Sequence, residues 1–130
     1  MAEGIFATAI NCMDGRTQLP VNKWMKDKFR ADYIDTITEP GPDKILTSPF
    51  SPLSQSIKQR VLISVEKHNS SVIAIVAHDQ CAGNPVSRDE HIAQLKKAME
   101  TVKSWNLSVD IHGVWIGSNW QVEEIDSIVR

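Results

Sequence analysis

The chain has 130 residues, of which 42% are apolar and 23% charged, with a formal net charge of −2. That length carries one domain with a real core and is too short for two. Weak, mixed charge excludes an electrostatic case for nucleic acid or an anionic membrane as partner, and no apolar run approaches the roughly 20 residues needed to span a bilayer.

The first residues, Met1 to Phe6, lack the basic start of a secretory signal, so the expected location is cytoplasmic. The two cysteines, Cys12 and Cys81, then fall in a reducing compartment. Thiols there serve more often as metal ligands, redox groups or inert core than as a disulfide.

Residues 5–10 form a short, nearly continuous apolar run, the pattern of a strand buried on both faces. Pro20 can open a helix, and Val21, Trp24, Met25 and Phe29 then recur at spacings that make one apolar face. Residues 33–37 read as a second strand. Glu39-Pro40-Gly41-Pro42 reads as irregular, and Pro49 and Pro52 extend that loop region. Ser51 and Pro52 fit a helix N-cap and first residue, with Leu53, Ile57, Val61 and Val65 striping a helix to about His68.

Residues 72–77 (VIAIVA) are the clearest buried strand. Ser87 and Glu90 match a capping box, followed by Ile92, Leu95, Met99 and Val102 on one helix face. Residues 109–116 read as a fourth strand. Gly117-Ser118-Asn119 is a hairpin signal leading to a fifth, antiparallel strand over residues 120–125. The expected fold is a single α/β domain over residues 1–130. It is three-layered, with a mostly parallel central sheet of four strands, an antiparallel C-terminal edge strand and helices on both faces.

Ligands of such sheets bind beyond the carboxyl ends of the strands. Cys12 follows the first strand, and His78 and Cys81 follow the third. If these strands are neighbours, two thiols and an imidazole meet, and three protein ligands with a fourth position free describe catalytic zinc.

At these residues the chain resembles the β-class carbonic anhydrases, which carry Cys-x-Asp-x-Arg after the first core strand and His-x-x-Cys after a later one. Cys12-Met13-Asp14-Gly15-Arg16 and His78-Asp79-Gln80-Cys81 match in order, type and strand context. The likeness extends over most of the chain, including the terminal strand pair with Ile111-His112-Gly113. There are departures: Gly15 replaces the family's usual Ser. Ala82 stands where a Gly usually follows the second Cys, with Gly83 one place later. Glu39-Pro40-Gly41-Pro42 stands in place of an Asn-Ala-Gly loop that lines the pocket.

The resemblance implies Zn2+ held by Cys12, His78 and Cys81, and reversible hydration of carbon dioxide to bicarbonate by hydroxide generated there. It implies Asp14 and Arg16 as the catalytic dyad, with Asp14 also able to close the site as a fourth ligand. It further implies that the chain forms a homodimer or larger homo-oligomer. Gly15, where the chain departs from the family, is expected to let the loop approach the metal closely. Asp79 and His112 are candidates for proton transfer. Three other functions fit parts of the pattern: a carbonyl sulfide or carbon disulfide hydrolase on the same site, a non-catalytic zinc or sensor module closed by Asp14, and a thiol redox protein using Cys12 and Cys81. His68 and His91, on helices among charged neighbours, are expected to face solvent. Trp24 and Trp105 are expected in the core or an interface, and Trp115 and Trp120 in a subunit interface.

Overall fold

A computed structural model describes residues 3–130; Met1 and Ala2, part of the segment read above for a leader, lie outside the described residues. In chain order come β1 (Phe6–Cys12), a 3-10 turn (Gly15–Thr17), α1 (Gln18–Phe29), β2 (Tyr33–Glu39), α2 (Pro42–Ile45) and α3 (Pro52–Lys67). These are followed by β3 (Val72–His78), α4 (Arg88–Lys103), β4 (Asp110–Ile116) and β5 (Val122–Ile128). The strands form one sheet in the order β2-β1-β3-β4-β5. The first four run parallel and β5 returns antiparallel along β4, as the alternating strand and helix patterns imply.

Every residue of β3 is buried, which explains its unbroken apolar run: it lies inside the sheet with helices on both sides. On one face Ile10, Ile73 and Ile75 pack against Ile57 and Val61 of α3 and Leu95 and Met99 of α4. On the other, Ala7, Ala9, Ala74 and Val76 pack against Val21 and Met25 of α1. The small side chains on this second face let α1 lie close to the strands.

The helix starts follow their caps. Ser51 Oγ accepts the Ser54 N–H at 3.2 Å, and Ser87 Oγ accepts the Glu90 N–H at 3.2 Å. Several boundaries differ from expectation. The helix α1 begins at Gln18, two residues before Pro20; proline is tolerated there because first-turn N–H groups have no helical partner. The segment expected to be irregular is shorter, since β2 continues to Glu39 and Pro42 opens the four-residue α2. The last strand starts at Val122, because Trp120 remains in the turn with φ 57°. No helix among the described residues is long and apolar enough to cross a membrane.

Candidate metal centre

β1 and β3 are adjacent and parallel, with Ile10 opposite Ile75. Cys12 and His78 are therefore the last residues of neighbouring strands rather than the first residues beyond them, as the sequence suggested. Side chains alternate across a strand. Cys12 thus leaves the sheet on the Ile10 side and His78 on the Val76 side, and the two meet over the sheet's carboxyl edge. Cys81 joins them from the following turn, which reverses at Gln80 (φ 57°). Ligand atoms of Cys12, His78 and Cys81 all lie within 4.8 Å of one another, and all three residues are buried.

The donor set suits zinc. Both cysteines are free, and their sulfurs are 3.9 Å apart. Two bonds of ~2.3 Å at a tetrahedral angle span roughly 3.8 Å. His78 Nδ1 donates to the Asp79 carbonyl at 2.7 Å, which fixes the ring and leaves Nε2 for a ligand. Nε2 is buried with no hydrogen-bond partner, the kind of orphaned atom that needs an explanation.

Electrostatics prepare one thiol more than the other. Burial works against ionising Cys12, but the His78 imidazole and the backbone N–H groups of Gly41 and Asp14 lower its pKa to about 7. Burial and the neighbouring Cys12 push Cys81 up to about 11, against backbone N–H groups of Asn84 and Gly83. Burial also disfavours the His78 imidazolium, yet Cys12 and the Asp79 carbonyl raise its pKa above the ordinary value.

These directions predict how metal affinity follows pH. Metal binding requires both thiolates and a neutral imidazole, so it releases protons. Below about 11 the Cys81 proton must leave, and below about 7 that of Cys12 as well. Apparent affinity should therefore rise about tenfold per pH unit at mildly alkaline pH and more steeply below neutrality. Chelator competition measured across pH checks this, and a flat profile would contradict it.

Asp14 and Arg16 form a two-pronged pair: Arg16 Nη2 to Asp14 Oδ2 at 2.7 Å and Nε to Oδ1 at 3.1 Å. Asp14 Oδ1 also accepts the Arg16 N–H at 2.9 Å, capping the 3-10 turn. Arg16 holds the Asp14 carboxyl down at about 2, so it is ionised at every working pH. Two residues to which the sequence analysis gave no such role steady Arg16 in turn. Gln80 accepts from it through Oε1 at 2.9 Å, and the Trp120 ring lies 4.4 Å beneath the guanidinium. Trp120 thus packs on the dyad. Trp115 is buried in the core against His91, and neither tryptophan needs a subunit interface to account for its position.

The proton-transfer candidates separate. Asp79 sits between His78 and Gln80, half-buried at the site. His112 pairs with Ala74, four residues back along β3 from His78, or roughly 13 Å of strand. Its Nδ1 is engaged by Glu124 and its ring packs on Phe29, away from the metal ligands. His68 is half-buried and bonded to Asp35 at 2.6 Å. His91 is buried, contrary to the expectation of a solvent-facing residue.

Close approach is made by other glycines than expected. A Cβ on Gly15 would meet no protein atom within 4 Å, so the packing of its loop does not require a glycine there. A Cβ on Gly83 would lie 2.6 Å from Pro40 Cβ and 2.8 Å from its carbonyl carbon. Gly83→Ala is expected to lower stability by about 1–3 kcal/mol through this overpacking. Gly15→Ala should leave the melting temperature nearly unchanged; thermal denaturation of both variants compares them.

The family model described as "Putative carbonic anhydrase" matches residues 2–126. Compared by sequence with curated proteins, the chain has no significant match. Among solved structures it is similar to one of two tetrameric β-carbonic anhydrases from Sordaria macrospora (TM-score 0.54, 10% identity, 98% of this chain and 84% of that one). It is also similar to the β-carbonic anhydrase CafA of Aspergillus fumigatus (TM-score 0.52, 13% identity, 92% and 74%). The Coccomyxa β-carbonic anhydrase solved with acetazolamide gives a TM-score of 0.59 at 13% identity, over 98% and 75% of the two chains. At such identities these structures establish the shared fold.

Proposed function

The chain belongs to the carbonic anhydrase family whose model it matches and shares the fold of β-carbonic anhydrases, and on that premise we propose that it is a zinc lyase interconverting carbon dioxide and bicarbonate. The observation that carries this reading is the convergence of Cys12, His78 and Cys81 within 4.8 Å beside an ionised, Arg16-bound Asp14. Cys12 Sγ, His78 Nε2 and Cys81 Sγ would hold the metal. Zinc bound there supplies an acidified water, lowered to a pKa of roughly 7, as nucleophile. Two thiolates cancel the formal charge of the ion and blunt this acidification, which favours a basic working pH.

Asp14 is the acceptor that orients the nucleophile toward the substrate carbon. Arg16 fixes both carboxylate oxygens, so Asp14 keeps one direction and stays charged. Gln80 and Trp120 hold Arg16 in place and shield one side of it from water. In this arrangement Asp14 is bonded to Arg16 and is not among the converging ligand atoms, which favours an open site over one closed by the carboxylate.

The same reading makes residues 1–130 one domain, since both clusters of the core share one sheet. It makes the protein cytoplasmic and a homo-oligomer, the latter supported by the fold shared with tetrameric relatives. Stopped-flow hydration of carbon dioxide by the zinc-loaded protein tests the function, with carbonyl sulfide and carbon disulfide run in parallel. Turnover of carbon dioxide is the expected result; no turnover of it would overturn the assignment.

A further inference from the structure

A buried carboxylate lies behind the metal ligands and takes no part in the proposed chemistry. Asp43 of α2 has no exposed surface, Asn84 none, and His91 of α4 only 1%. A buried charge persists only when paired and hydrogen-bonded. Here His91 Nδ1 lies 2.6 Å from Asp43 Oδ2. A single proton between the ring nitrogen and the carboxyl oxygen makes this bond. Asn84 Nδ2 lies 3.3 Å from each Asp43 oxygen and donates to Gln94 Oε1 at 2.6 Å. His91 packs on Trp115, with ring centroids 5.3 Å apart.

This cluster ties together two segments at the carboxyl edge of the sheet. Glu39, one residue before the first, accepts the Met13 N–H at 3.1 Å, next to Cys12. In the second, the Asn84 N–H donates to the Cys81 carbonyl at 3.2 Å and closes the turn that carries this candidate ligand. The segments are in contact: a Cβ on Gly41 would lie 2.8 Å from Asn84 Cβ, and one on Gly83 2.6 Å from Pro40. Asp43 bonds both His91 of the helix and Asn84 of the Cys81 turn, and Asn84 Nδ2 also lies 3.4 Å from His91 Nδ1.

We propose that the Asp43–His91 pair is a positioning device for the metal centre: through Asn84 it locks the Pro40–Asp43 and Cys81–Asn84 segments together, so that the turn carrying Cys81 is held in place toward Cys12 and His78. Groups behind a metal's ligands typically change affinity by about 10- to 100-fold when removed. The inference rests on the reading that Cys12, His78 and Cys81 bind zinc.

The test measures Zn2+ affinity by chelator competition and the Co2+ absorption spectrum, alongside the melting temperature of the metal-free protein. Asp43→Asn and His91→Leu should weaken Zn2+ about 10- to 100-fold and shift the cobalt bands. His91→Asn, which keeps a donor at the Nδ1 position, should recover most of the affinity. Val61→Ala serves as control: it opens the core on α3 without touching either segment and should lower the melting temperature while leaving affinity at the wild-type level. Affinity within twofold of wild type in both Asp43→Asn and His91→Leu would overturn the proposal. So would an equal loss in Val61→Ala. Failure of the wild-type protein to bind Zn2+ or Co2+ would instead overturn the metal reading itself, and this inference with it.

Discussion

Cys81→Ala is expected to leave a folded protein that cannot retain zinc. Four-ligand protein sites bind zinc with about 10–16 kcal/mol, so one ligand is worth roughly 3–4 kcal/mol, or roughly 10²–10³-fold in affinity. The loss should reach the upper end here. With a thiolate gone, the site keeps one soft ligand and one imidazole. The fold should survive, because Cys81 lies in a turn beyond β3 and contributes only a small side chain to the buried surface. Metal content after dialysis, read beside the circular dichroism spectrum, separates loss of metal from loss of structure. Full zinc occupancy in this variant would show that Cys81 is not a ligand and would favour a different donor set.

Asp14→Ala should give the opposite pattern, with zinc retained and activity largely lost. Asp14 is bonded to Arg16 and is not part of the converging donor trio, so metal affinity should change little. Loss of a single preorganised hydrogen-bonding group at a reacting centre costs about 10²–10³-fold in rate. The fall should appear in kcat as well as kcat/KM, because the orienting bond is used in the transition state rather than in capturing the substrate. Since Arg16 keeps the Asp14 carboxyl at about 2, protonation of Asp14 cannot cause any loss of activity near neutral pH in the unmodified protein. An Asp14→Ala variant with undiminished turnover would remove the dyad from the mechanism.

Much of this was legible in the residues. The apolar run of β3 could only be an interior strand, and Ser51 and Ser87 marked two helix starts because a side-chain oxygen in that position satisfies a first-turn N–H. The metal trio was legible because each ligand sits at or just after a strand end, where parallel sheets gather their loops. What escaped was set by tertiary packing. His91 falls on the same stripe as Leu95 and Met99, and its helical position argued for burial. Its polarity and charged neighbours argued for solvent, and the carboxylate that resolves the conflict comes from a distant four-residue helix. That helix was hidden by prolines and a glycine that usually signal a loop. The contacts of Gln80 and Trp120 with Arg16 were missed for a related reason: both residues occupy left-handed backbone positions that only Gly or Asn would have advertised.

The placement of β3 between β1 and β4 bears on when the centre can come into being. In an extended chain His78 and Cys81 are near neighbours, but Cys12 is three helices and two strands away. A zinc finger gathers its cysteines from close spacings and can condense around the ion. Here the third donor arrives only after β3 has slotted in beside β1, a long-range parallel pairing of the kind that forms late and slowly. An ion held by all three donors would therefore report that β3 is already paired with β1.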